Sequence, residues 1–90
     1  MNTAERPIPR QVKTALPLME ELPFEIRAGI PDLTFAGHVY ADVARKRLII
    51  INNRIVREGD LIVSGLFLEQ ISPNGVVLRY ETTLFRVILF

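Results

Sequence analysis

From residue 33 onward, apolar and polar residues alternate in short runs at the two-residue period of strands that bury one face. In Leu33–Tyr40, Leu33, Phe35, Gly37 and Val39 fall on one side of an extended chain, and Thr34, Ala36, His38 and Tyr40 on the other. The run Leu48–Ile51 is apolar on both sides, as in a strand inside a sheet or between two layers. Arg54–Arg57, Leu61–Val63, Leu66–Ile71, Val76–Glu81 and Leu84–Phe90 read as further strands. The breaks between them carry turn chemistry. Asn52 and Asn53 tolerate positive φ, and Glu58-Gly59-Asp60, Ser64-Gly65 and Thr82-Thr83 interrupt the pattern. Ser72-Pro73-Asn74-Gly75 has proline second, asparagine third and a glycine to accept positive φ.

Ahead of residue 33 the pattern changes. Residues 1–19 carry Pro7, Pro9 and Pro17 among polar and charged residues and read as a Pro-rich flexible linker. Leu18, Leu22, Ile26 and Ile30 recur at helical spacing, but Pro23 divides them. The pattern predicts one short turn before Pro23 and another from Phe24 to about Ala28, with Gly29 as a stop, lying across an open end of the strands. Ala41–Ala44 is a short connection. Six or so short antiparallel strands without a long helix predict an all-β domain over residues 20–90: a small sandwich of two small sheets, or a partly open barrel, with a short helical lead-in.

Composition narrows the classes of function. Of 90 residues, 49% are hydrophobic and 23% charged, which is globular rather than disordered. The net charge of +1 gives no general pull toward nucleic acid or an anionic membrane. Without cysteine there is neither a disulfide framework nor a thiolate metal site. No apolar run reaches the length of a membrane span, and Met1 leads into polar sequence, so no membrane contact and no signal peptide are expected of a chain that reads as a soluble piece of something longer.

Candidate chemistry is sparse. His38 is the single histidine, Ser64 and Ser72 lie in turns, and no nucleophile motif surrounds them, so no enzyme, cofactor or metal is expected. Glu58 and Asp60 read as solvated turn charges, and Phe35, Phe67 and Phe85 as core. Arg45, Lys46 and Arg47 would be the contacts of an oligonucleotide-binding barrel, though an exposed aromatic platform is not evident. Self-association is a third possibility. The reading preferred is an interaction module that offers the edge strand Leu33–Tyr40 to an incoming strand, with Gly37 marking a bend or a close approach. A proline at Ala36 or His38 would then block pairing. Lys46, Arg54, Arg57, Arg79 and Arg86 would serve solubility and partner choice.

Several short stretches, taken in order, carry a resemblance. Phe35-Ala-Gly-His-Val-Tyr40, Ile51-Asn-Asn-Arg54, Arg57-Glu-Gly-Asp60 and Ile71-Ser-Pro-Asn-Gly-Val-Val-Leu78, with Leu22-Pro23, Arg27, Pro31-Asp-Leu33 and Phe85-Arg86, resemble the C-terminal periplasmic domain of type II secretion system protein B, the GspB family. The resemblance covers roughly residues 20–89. It implies a β-sandwich similar to the homology-region domains of GspC and PilP, and a periplasmic domain of a protein anchored in the inner membrane. It also implies docking to the N-terminal periplasmic domains of the GspD-type secretin, with GspA and GspC as further partners in some members. Residues Leu33, Thr34, Phe35, Ala36, Gly37, His38, Val39 and Tyr40 would carry the contact.

Overall fold

Asn52 and Asn53 take φ of 51° and 68°, the backbone with which a two-residue hairpin follows the twist of its strands. In the computed structural model, which describes residues 16–90, this turn joins β2 (Leu48–Ile51) to β3 (Arg54–Val56). Strand β1 (Phe35–Val39) pairs with the other side of β2, so the first sheet has the order β1-β2-β3. The second sheet runs β4 (Leu61–Val63), β5 (Leu66–Ser72), β6 (Gly75–Tyr80) and β7 (Thr83–Ile88), each antiparallel to the next. The molecule is therefore two antiparallel meanders and not a closed barrel, the sandwich form of the expected all-β class.

One core holds the sheets together. Ile49, Ile51 and Val56 come from the first sheet, and Ile62, Leu66, Leu68, Ile71, Val76, Leu78 and Phe85 from the second. Along β2 the even positions Leu48 and Ile50 stay half-buried on the outer face while Ile49 and Ile51 are fully buried, as expected for the middle strand of a one-sided sheet. The lead-in contributes Leu22 and Ile30 to the same core, with Met19 and Ile26 packed against it. It consists of a 3₁₀ turn at Met19–Glu21 and one α turn, α1 (Phe24–Arg27), separated by Pro23. The α turn closes with Arg27 N–H and Ala28 N–H donating to the carbonyls of Pro23 and Phe24, at 3.0 and 2.8 Å. Another 3₁₀ turn, Ala44–Lys46, lies in the connection from β1 to β2. The Pro-rich stretch through residue 15 lies outside the described residues. No helix among those described is long and apolar enough to cross a membrane.

The structure departs from the simple alternation at three places. The β1–β2 register advances three residues on β1, from Ala36 to Val39, against two on β2. That is a one-residue bulge, with Gly37 at φ +56°. Every side chain beyond it changes face: His38 turns inward, and Val39, expected to be buried, is 44% exposed. Gly75 was expected to accept positive φ, but its φ is not positive; it is the first residue of β6, opposite Ser72 and Ile88. A Cβ there would run into the Val87 carbonyl oxygen, so glycine is needed for the close approach of two backbones. Phe67, expected in the core, is half-buried between Leu66 and Leu68, both of which are buried, so it faces outward. There it lies under the Arg79 guanidinium, 4.4 Å from the ring centroid.

Candidate functional site

A sandwich of two open sheets has four edge strands, and unpaired edge backbone is where another chain can add a strand. Here the edges are β1 and β3 of one sheet, β4 and β7 of the other. Two of them, β4 and β7, take hydrogen bonds from outside their own sheet. Arg54, at the start of β3, reaches across to β4 and donates to the carbonyls of Leu61 and Ile62 at 3.3 and 2.6 Å. Along β7, Arg86 N–H donates to the Pro17 carbonyl at 2.9 Å and its Nε to the Leu16 carbonyl at 2.9 Å, and Leu18 bridges to it in parallel.

The edge β1, like β3, has no strand on its outer side among the described residues. Asn52 N–H donates to the Thr34 carbonyl at 2.9 Å, and Thr34 N–H to Asn52 Oδ1 at 2.7 Å. Antiparallel pairing alternates, so Thr34 and Ala36 turn their main chain toward β2 while Phe35 turns its N–H and C=O away. This orientation changes the consequence of the prolines considered above. Proline at Ala36 would break the ladder within the sheet. Proline at His38 would unseat the residue that ties β1 to the second sheet: His38 Nε2 lies 2.8 Å from the Ser72 carbonyl and 3.1 Å from that of Gly75. Two carbonyl partners make Nε2 the protonated nitrogen. The ring also meets Phe90 edge-on at 5.0 Å.

Beside this edge runs a groove. One part, about 580 Å³, is lined by Met19, Ile30, Leu33 and Phe35, with Glu20 and Arg27 also on its wall. A smaller part, about 160 Å³, lies between Phe35, Gly37 and His38 on one side and Leu89 and Phe90 on the other. Phe35 is common to both. The lining is mixed, with Glu20, Arg27 and Asp32 on the wall of the larger part beside its apolar residues, and Phe90 is 74% exposed.

The eight residues Leu33–Tyr40 therefore do not share one surface. Phe35 to Val39 form the strand, Leu33 and Phe35 pack on the core and line the groove, and Ala36 and Val39 lie on the outer face of the sheet opposite Ile50 and Leu48. Tyr40 lies beyond the strand under the Arg47 guanidinium, at 4.6 Å. Sequence reasoning missed Met19, Leu89 and Phe90 as groove residues, because they lie far from β1 in the chain, and Ile30, which reads as part of the helical lead-in. The only signal was that each is apolar at the margin of a predicted element.

The charged candidates are mostly spent inside the molecule. Arg47 donates to the carbonyls of Ala41 and Asp42 and to Glu58, at 2.6, 3.2 and 3.1 Å, so Arg45, Lys46 and Arg47 do not present a common surface. Glu58 Oε2 also accepts from Ile71 N–H at 2.8 Å, and Asp60 Oδ2 from Arg57 N–H at 2.9 Å, so neither carboxylate is a free solvated turn charge. Arg57 donates to the Arg45 carbonyl at 3.1 Å, and Arg79 pairs with Glu69 at 2.7 Å.

Two comparisons place this chain among known proteins. A family model described as type II secretion system protein B matches residues 30–88, from the end of the lead-in through β7. The chain is 31% identical over 65 residues to general secretion pathway protein B of Aeromonas hydrophila, covering 72% of this chain and 28% of that protein. It is 34% identical over 53 residues to the protein of the same name from Klebsiella pneumoniae, covering 59% and 30%, and 35% identical over 52 residues to that of Dickeya dadantii, covering 58% and 24%. The chain therefore spans less than a third of the length of the curated relatives it matches. No solved structure matches.

Proposed function

Because the chain belongs to the type II secretion system protein B family, we propose that its β-domain is a non-enzymatic docking module of that secretion system. It takes an added strand along β1, and the partner is the set of N-terminal periplasmic domains of the outer-membrane secretin. The domain then serves in the periplasm, in positioning or stabilising the secretin, as part of a longer protein held at the inner membrane. GspA and GspC are further partners in this reading.

The observation that carries the proposal is the difference among the edges. Among the described residues, β1 combines outward backbone groups with adjoining hollows that carry apolar side chains, whereas β7 is engaged by Leu16–Leu18, the carbonyls of β4 by Arg54, and the hollow beside β3 is polar. An added strand gains main-chain hydrogen bonds from the edge, and side-chain selection comes from whatever pockets adjoin it. Here the two parts of the groove flank Phe35, so they would receive side chains of the incoming strand on either side of that residue.

Amide-shift mapping with the secretin's N-terminal domains tests the assignment. Shifts are expected at Leu33–Val39, Leu89 and Phe90, and not at β3 or β4. Phe90→Glu, on an exposed side chain, and Leu33→Lys, on a half-buried one, are expected to weaken binding roughly tenfold or more, the loss of about 1.4 kcal/mol at an interface anchor. Unchanged affinity in both variants removes β1 from the interface. Concentration-dependent sedimentation without the secretin would favour self-association through the same edge.

A further inference from the structure

Met19 stands at the junction of two features that the chain order keeps apart. It packs on the core and lines the larger part of the β1 groove, yet it follows directly on the segment clamped to β7. We propose that Leu16–Leu22 is a hinged strap, latched by Arg86, that forms one wall of the β1 groove and couples the chain ahead of it to the partner's grip. This rests on the reading of β1 as the docking edge.

The latch is a single residue acting twice. Arg86 offers its outward main-chain N–H to Pro17 and its guanidinium Nε to Leu16, so both bonds to the entering chain come from the middle of β7. Beyond the latch the strap is stiff. Glu21 N–H donates to the Leu18 carbonyl at 2.9 Å, Leu18 N–H donates to Glu21 Oε1 at 2.8 Å, and Leu22 N–H donates to the Met19 carbonyl at 3.2 Å. Its far end is fixed, because Leu22 is only 5% exposed in the core, and Arg27 NH1 donates to the Glu20 carbonyl at 3.2 Å. A stiff turn held at both ends moves as a unit if one end is freed.

The two ends differ in strength. Leu22 is held by the core, whereas Leu16–Leu18 are half-buried and held at a sheet edge, where local opening needs far less free energy than global unfolding. Opening the latch therefore withdraws Met19 and Glu20 from the groove while the sandwich stays folded. It also bares the outward N–H of Arg86, a second place for strand addition. A partner seated against Met19 favours the latched state, and by reciprocity a load that lifts Leu16 weakens the partner.

The test uses the full chain, with amide exchange and the secretin domains as probe. In the free protein, Arg86→Ala is expected to speed exchange of the main-chain amide at position 86 about tenfold and to shift the amides of Met19, Leu33 and Phe35. An effect confined to Leu16–Leu18 and β7 overturns the coupling, whatever the partner proves to be. With the secretin domains present, the wild-type Arg86 amide should exchange more slowly, and Arg86→Ala and Met19→Ser should each weaken binding by roughly fivefold or more, the low end of ordinary coupling between sites. If both variants bind like wild type while Phe90→Glu does not, the strap inference falls and the docking edge stands. If all of these variants bind like wild type, the docking edge falls and takes the partner coupling with it. The wild-type exchange measurement involves no substitution, so it decides even if Arg86→Ala does not fold.

Discussion

Asn52 and Asn53 share a turn and a positive φ, but among the described residues only Asn52 is tied to a second segment: its Oδ1 accepts from Thr34 N–H, and its Nδ2 donates to the Asp32 carbonyl at 3.2 Å. Asn53→Gly keeps what the turn requires and is expected to change stability by less than about 0.5 kcal/mol in denaturant unfolding. Asn52→Gly keeps the turn as well but strips two partners from the approach to β1, at a cost of roughly 1–3 kcal/mol. Equal effects of the two would show that the turn alone matters. Gly37 is a similar case. Alanine there must hold φ +56°, with its Cβ 2.9 Å from Ile50 Cδ1, so Gly37→Ala is expected to cost about 1–2 kcal/mol and to return the first sheet to a simpler register. The asparagine pair was legible in the sequence because the turn chemistry is local. The facing of His38 and Val39 was not, because alternation assumes one residue opposite one, and a lone glycine does not say whether it bends the strand or inserts an extra residue. The partners of His38 lie 34 and 37 positions away, beyond any local pattern.

The strands themselves were readable, since each is a short apolar run between turn residues, but what joins one sheet to the other was not. Glu58 looks like a turn charge, yet its Oε2 receives both Arg47 NH1, from the residue just ahead of β2, and Ile71 N–H from β5 of the second sheet. β4 is only three residues long and pairs with Leu66 and Phe67, so the β5 main chain near Ile71 has no β4 strand beside it. Glu58 fills that place. The side chains of Arg47 and Glu58 are 14% and 20% exposed, so solvent screens the pair only in part. Glu58→Ala leaves Ile71 N–H and Arg47 without this partner, and a loss of roughly 2–4 kcal/mol is expected. Arg47→Met should cost less, because Glu58 keeps its bond to Ile71. A double-mutant cycle in thermal unfolding is expected to return a coupling of about 1 kcal/mol or more between the two positions. Strict additivity would mean that each residue acts through its backbone partners alone. The same blindness explains Arg54, Arg57, Arg79 and Arg86, which read as a solubility set but each have a bond to make within the domain.

The two open sides of the sandwich are treated differently, and this asymmetry gives the domain a direction. On the β3–β4 side, Arg54 spans from the first sheet to two carbonyls of the second. On the β1–β7 side, His38 ties the sheets near one end, and the groove beside Phe35 stays open along the rest. A domain with two equally open sides would accept strands on both and grow into chains of copies, since strand addition at opposite edges does not close on itself. Closing one side with a long cation prevents that without burying more apolar surface. The expected consequence is that Arg54→Ala leaves the core intact but frees the Leu61 and Ile62 carbonyls. Stability should fall by roughly 1–3 kcal/mol, the worth of a charge-assisted hydrogen bond, and sedimentation should show new concentration-dependent association. The strand addition proposed at β1 should change little, because β1 and Arg54 lie on opposite edges of the first sheet. Arg54→Lys keeps the charge but not the fork that reaches two carbonyls, so it should recover only part of the stability. An Arg54→Ala protein that stays monomeric at high concentration would mean that the brevity of β4 already protects that side, and that Arg54 is a fastening between sheets rather than a guard on an edge.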